Sequence, residues 1–514
     1  MEAMEMTLDP KFTDAARRSF AADAPSILLG APILGSECIG EPLVRLPLSM
    51  ANRHGLIAGA TGTGKTRTLQ LIAEQLSSAG VPVFLADIKG DLSGLGAEGT
   101  SSDRITQRAN ETGWDWRPAA YPVEFLSLTG ARGAQLRATV SSFGPLLLSK
   151  ILSLNETQTS ALALVFKFCD DRRLPLLDLA DLRSVLQYLT EDGAAELRDY
   201  GGITKATVGV ILRKMVEMEQ QGAERFFGEP EFDLDDLLVT NGTKDGRVTV
   251  LELSDVNDKP LLFSTFMMGL LARLYHELPE VGDIDKPKLV FFFDEAHLLF
   301  DDASKAFLDQ VEQIVRLIRS KGVGIFFVTQ NPKDVPGDIL GQLGNKVQHA
   351  LRAFTPDDDK ALRAAARSLP KTPFYEIEST LTSLGIGDAL VSVLTPAGVP
   401  TMPFATRLGP PASRMGPLDD ADFAARLEAS EQVREYATAV DRDSAREMLA
   451  ARMAPAPQKQ EPPAPARRVG KEPPSKLEEV LRSPVTRTVT REVTRGLLGA
   501  LLGSPPRRRR RSIW

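Results

Sequence analysis

Eight consecutive residues, Gly59-Ala60-Thr61-Gly62-Thr63-Gly64-Lys65-Thr66, spell G-x-x-x-x-G-K-T. Glycines at those places let the backbone curl until successive N–H groups face one point, which suits a chain of phosphates. An apolar run, residues 55–58, leads in, and a helix-compatible run, residues 67–76, leads out. Strand, glycine loop and helix are the context in which this motif has meaning, because the helix N-terminus adds its own partial positive charge. In such a loop Lys65 reaches the β- and γ-phosphates of ATP, and Thr66 holds Mg2+.

A phosphate loop hydrolyses nothing without a second metal-binding group and a water-activating one. Both are offered by Leu289-Val290-Phe291-Phe292-Phe293-Asp294-Glu295-Ala296-His297. Five apolar residues make a fully buried strand, and its tip presents two adjacent carboxylates. Asp294 is placed to bind Mg2+, and Glu295 to polarise the attacking water. A second buried run, residues 323–329, ends in Gln330, an amide suited to sensing the γ-phosphate or orienting the water.

Three features stay open at this level. Arg319, and after it Arg316, are candidates to complete the site of a neighbouring subunit, with Arg352 a third; solvated helix charges paired with acids such as Glu312 are the plain alternative. Asp87-Ile88-Lys89-Gly90-Asp91 touches the nucleotide or an ATP-driven interface, or is an ordinary Lys-Gly turn. His297 completes the letters Asp-Glu-Ala-His of one helicase class, yet that class carries a Gln-x-x-Gly-Arg-x-Gly-Arg motif which this chain lacks. His297 then reads as a structural or coupling residue. An Asn-Lys-x-Asp base-reading motif is equally missing, which excludes Ras-type GTPases.

The elements that must position these groups alternate. Residues 81–86, 123–128, 247–253, 289–293, 323–329, 348–354 and 389–394 read as strands, and residues 260–278, 303–321 and 356–366 as helices. That alternation predicts an α/β fold, a mainly parallel sheet covered on both faces. Between residues 143 and 225, apolar side chains recur at three- and four-residue spacing (Leu162, Val165, Phe166, Cys169; Val208, Ile211, Leu212, Met215), which predicts an insertion of about four helices. The expected organisation is a lead-in with a short β segment over 1–50 and the P-loop half of the core over 51–142. The helical insertion follows over 143–230 and the carboxylate and sensor half over 231–411. A helical segment over 412–453 and a disordered linker with a basic tail over 454–514 complete the chain. Residues 1–25 read as mobile, 26–50 as β pieces too few for a barrel, and 95–120 as loop.

Composition sets limits. The 514 residues carry a net charge of −7, so the chain is not a generally basic nucleic-acid binder. Five of its arginines are consecutive, Arg507 to Arg511, and setting them aside leaves −12 on the rest. Such a run can meet nucleic acid, an acidic partner or an anionic surface, or be a solvated tail. No apolar run reaches the roughly 18 residues of a membrane span, and residues 1–5 lack a secretory leader's pattern, so a cytoplasmic protein is expected. Cys38 and Cys169 read as buried thiols of a reducing compartment, and two cysteines with four histidines show no zinc-ligand spacing.

Taken together, residues 51–66, Asp87 to Asp91, Phe293 to His297, Val328-Thr329-Gln330-Asn331-Pro332 and Gly385-Ile386-Gly387-Asp388-Ala389-Leu390-Val391 resemble the bacterial HerA-like helicase family of the HerA/FtsK superfamily. The resemblance covers roughly residues 26–411. It implies a RecA-like P-loop NTPase core of the ASCE type and a homo-hexameric ring that hydrolyses ATP between subunits. It also implies that DNA, or protein, moves through the central pore. Two departures stand out: the family's N-terminal β-barrel is reduced to a stub, and the arginine-rich tail lies outside the shared core. DNA is the expected substrate. The rival expectation is an ATP-driven, protein-directed or regulatory ATPase that leaves DNA alone.

Overall fold

The computed structural model describes residues 9–453 except 22, 36, 198–199, 241–243 and 302–304. The linker and the run Arg507 to Arg511 lie outside the described residues.

Among the described residues thirteen strands form one sheet. In chain order they are β1 (Ser26–Leu34), β2 (Glu37–Cys38), β3 (Val44–Pro47), β4 (Gly55–Ala58), β5 (Val83–Asp87), β6 (Val123–Ser127) and β7 (Ala134–Gln135). Then come β8 (Val248–Glu252), β9 (Leu289–Phe293), β10 (Val323–Thr329), β11 (Asn345–His349), β12 (Asp388–Ser392) and β13 (Phe404–Leu408). The spatial order is β2-β1-β13-β12-β11-β4-β10-β9-β5-β8-β6-β7, with β3 beside β1. From β11 to β7 every neighbour pair is parallel. The wing from β12 to β1, with β2 and β3, is antiparallel.

The fold is the expected RecA-like P-loop core. Its strands β9 and β10 are buried throughout, and their alternate side chains serve opposite faces. Phe291, Phe293, Ile325 and Phe327 join one core, while Val290, Phe292, Phe326 and Val328 join the other. Phe292 stacks on Phe326 at 5.1 Å, and Phe293 on Phe327 at 5.5 Å. Burial of each such ring contributes about 2–3 kcal/mol. Helix Lys65–Ser78 covers the second face through Leu69, Ile72, Ala73 and Leu76, spaced three and four apart.

The insertion is helical, as its periodicity predicts: Val140–Ile151, Glu156–Arg172, Leu179–Thr190 and Lys205–Gln220. Local chemistry starts these helices. Asn155 and Asp178 each make a reciprocal capping box, and Thr204 accepts the Thr207 N–H. Gly144 breaks the first of them, with φ +71° just ahead of Pro145.

Three expectations need correction. Pro10–Ser19, expected within the mobile lead-in, is a helix that buries Phe12, Ala15 and Ala16. Phe12 meets Phe374 at 5.1 Å and Phe404 at 5.5 Å, partners more than 350 residues away that no local pattern announces. The β pieces of residues 26–50 join the central sheet, since β1 hydrogen-bonds to β13. Asp103–Thr112, expected as loop, is a helix with Ser102 as N-cap and Gly113 in the left-handed region as C-cap. Its ten residues bury only Ile105, Ala109 and Thr112, too few for an apolar stripe to show in the sequence. Strand β11 lies ahead of its expected place and ends at His349, so Arg352 is in the following loop, donating to the Thr382 carbonyl at 2.8 Å.

Candidate active site

Four neighbouring parallel strands, β4-β10-β9-β5, end at one edge of the sheet and carry the candidate groups in a row. Neighbours are spaced about 4.8 Å apart. Ala58 is level with Thr329, and Phe327 with Phe293. The phosphate loop therefore lies beside Gln330, with the Asp294-Glu295 pair one strand further on and Asp87-Ile88-Lys89 beyond it.

The loop is held from below. Gly59 N donates to the Thr329 carbonyl at 3.2 Å, Ala60 N to Ala350 at 2.9 Å, and Gly387 N to Thr63 at 2.9 Å. A side chain on Gly59 would stand 2.4 Å from His349 Cβ. Gly62 and Gly64 have φ of +77° and +113°, the left-handed region that glycine tolerates. His349 is fully buried under the loop, with Nε2 2.9 Å from Thr68 Oγ1. Burial, with Lys65 nearby, pushes its pKa down to about 3, so it is neutral. Sequence reasoning missed His349, whose role is made by packing across the sheet.

Lys65 opens the helix and folds back over the loop, its Nζ donating to the carbonyls of Gly59 at 2.7 Å and Ala60 at 3.2 Å. Burial lowers its pKa and Glu295 opposes that shift. Thr66 follows at the second helical position, half-buried. Thr61 Oγ1 donates to Gln330 Oε1 at 3.3 Å, so the loop and the sensor candidate touch.

Asp294 is 2% exposed. Its Oδ1 accepts the Glu295 N–H at 3.0 Å, and its Oδ2 has no hydrogen-bond partner. Burial, partly offset by Lys89, raises its pKa to about 7. An unpartnered buried acceptor on a strand tip near the phosphate loop, within electrostatic range of Lys65 and Lys89, fits a phosphate-bound divalent cation. Glu295 is in the left-handed region at φ +47°. Burial raises its carboxyl, but the ion-paired Lys89, with His297 and Lys65, holds it below the usual range. Of the two options for Asp87 to Asp91, the structure thus gives Lys89 a partner within the site.

The arginine candidates lie elsewhere. Arg316 and Arg319 precede β10, at the end of the strand remote from Gln330. Seven residues of strand separate the two ends by about 23 Å. Arg316 is ion-paired with Glu312, the plain alternative. Arg319 is half-buried next to Arg53, and its pKa is lowered by burial and then by that guanidinium. Neither can reach the phosphate loop of its own chain.

On the other flank, Gly64, Arg67, Ile105, Arg108, Ile386 and Pro410 line a cavity of about 240 Å³. Arg108 is fixed there by Asp388 at 2.8 Å and the Ile386 carbonyl at 2.6 Å. This cavity was also missed by sequence reasoning, because one wall, Arg104 to Arg108, comes from a segment that read as loop and the others are brought to it only by the fold.

The family model described as Helicase HerA-like C-terminal matches residues 36–488. The chain belongs to this HerA-like family. Among its relatives is the "DNA double-strand break repair helicase HerA" of Sulfolobus acidocaldarius, 23% identical over 356 residues, which are 68% of this chain and 64% of that protein. The protein of the same name from Sulfurisphaera tokodaii is 22% identical over 406 residues, 77% of this chain and 72% of the relative. The chain thus spans less than two thirds of the first of these. Similar solved structures include the unbound bacterial conjugative coupling protein TrwB (TM-score 0.47, 14% identity, 74% of this chain and 88% of that one). VirB4 of Thermoanaerobacter pseudethanolicus is another (TM-score 0.43, 15% identity, 75% and 97%). Among the described residues no helix is long and apolar enough to cross a membrane.

Proposed function

We propose that the protein is a Mg2+-dependent ATPase motor of the HerA-like family, a cytoplasmic homo-hexameric ring that moves or unwinds DNA. The observation that carries ATP hydrolysis is the row of strand tips: phosphate loop, Gln330, then Asp294 and Glu295, with an unpartnered Asp294 oxygen inside. Lys65 would exchange the Gly59 and Ala60 carbonyls for the β- and γ-phosphates. Thr66 and Asp294 would hold Mg2+, which supplies neutralisation of the phosphate charge. Glu295 accepts the proton of the attacking water, and Gln330 orients that water. The cavity at Gly64 and Arg108 takes the base and ribose. Arg319, with Arg316 second, serves the neighbouring subunit's site, since both are remote from their own.

DNA as substrate is supported by family membership and by the relatives that are DNA repair helicases. The test is steady-state ATP hydrolysis at low salt, alone, with single-stranded DNA and with duplex DNA. A several-fold rise on either DNA, lost in Lys65→Ala and Glu295→Gln, is the expected result. Hydrolysis indifferent to DNA would overturn the DNA assignment and favour a protein-directed motor.

A further inference from the structure

Lys89 has no part in the mechanism so far, yet it is bonded to the group that matters most. Its Nζ is ion-paired with Glu295 Oε1. The other carboxylate oxygen, Oε2, is buried and makes no hydrogen bond; His297 Nδ1 is 3.4 Å from it. A carboxylate held through one oxygen can still offer the other to the proton of a water within hydrogen-bond reach.

The lysine is itself held by a built support. Asp87, fully buried at the end of β5, accepts the N–H groups of Gly90 and Leu92, both at 2.8 Å. Gly90 has φ +71°, which closes the turn that carries Lys89. On the other side Glu295 has φ +47°, a left-handed conformation that strains a non-glycine residue. Such a residue stays there only where its surroundings over-determine it. The Glu295 N–H on Asp294 Oδ1, the Ala296 N–H on the Val328 carbonyl at 2.9 Å and the Lys89 ion pair are those surroundings.

We propose that Lys89 is the positioning residue of the water-activating glutamate: its ammonium grips Glu295 Oε1 and leaves Oε2 as the proton acceptor. This rests on Glu295 being the base. Lys89 touches neither phosphate nor water in this role; it acts through Glu295.

The experiment compares Lys89→Ala, Lys89→Arg and Asp87→Asn with Glu295→Gln in the full chain. It reads kcat and KM for ATP and the unfolding temperature. Lys89→Ala should lower kcat about tenfold or more and leave KM within about twofold, the pattern of an interaction needed after binding. Lys89→Arg, which keeps charge and donors, should recover part of the loss, and Asp87→Asn should fall in the same direction. An unchanged kcat, a raised kcat, a loss confined to KM, or no recovery by arginine would overturn the proposal. If Glu295→Gln itself turns over normally, the assignment of the base fails and the positioning role falls with it. If Glu295→Gln is inactive while Lys89→Ala is normal, only the role of Lys89 fails.

Discussion

At position 59 a methyl group would meet His349 Cβ at 2.4 Å, so glycine is set there by packing under the phosphate loop. Gly59→Ala should cost about 1–3 kcal/mol of stability, the range for overpacking, and weaken ATP binding more than it weakens the fold. Calorimetric ATP titration beside urea unfolding checks this. A second buried histidine links the core to pH. His54 Nδ1 accepts the Ile325 N–H at 3.0 Å, and Nε2 is 2.8 Å from the Val315 carbonyl. Burial lowers its pKa from 6.5 to about 4, against the pull of that carbonyl. The native state therefore holds a neutral ring. Its stability contribution is complete above pH 6.5 and is lost as pH falls towards 4, because the unfolded chain binds the proton first. The loss is about 3 kcal/mol. His54→Gln should show a shallower fall in stability between pH 7.5 and 4.5 than the parent, as urea unfolding at both values would report.

At the scale of elements, some strands were plain in the residues and others were not. β9 and β10 are long apolar runs ending in polar groups, so both strand and site could be read from local order. The phosphate loop carries its own geometry in its glycines. By contrast, β1 pairs with β13, a partner more than 370 residues away, and the helix Pro10–Ser19 is mostly polar with one dominant anchor, Phe12. The Lys89–Glu295 contact spans 206 residues. Local propensity cannot report such pairings, which closing the sheet alone brings together. Phe12→Ala should cost about 3–5 kcal/mol and leave the affinity for ATP unchanged, because the helix packs on the antiparallel wing, not on the loop. Unchanged stability in urea would return residues 10–19 to a lead-in.

For the whole molecule, the length of β10 sets the argument. A chain that presents its phosphate loop at one end of the strands and Arg319 about 23 Å away at the other can use that arginine only in the site of a neighbouring subunit. Arg319→Ala and Lys65→Ala should each be inactive alone. Mixing the two and reassembling them should recover hydrolysis, since intact loops then face intact arginines. No recovery would remove Arg319 from the neighbour's site.

The central claim is that Glu295 activates water while other residues bind ATP. The direct measurement is the fate of γ-labelled ATP bound to Glu295→Gln in Mg2+. The account predicts that this variant retains ATP with an affinity near that of the parent and returns it as ATP after many parental turnover times. Recovery of the nucleotide as ADP and free phosphate would contradict it.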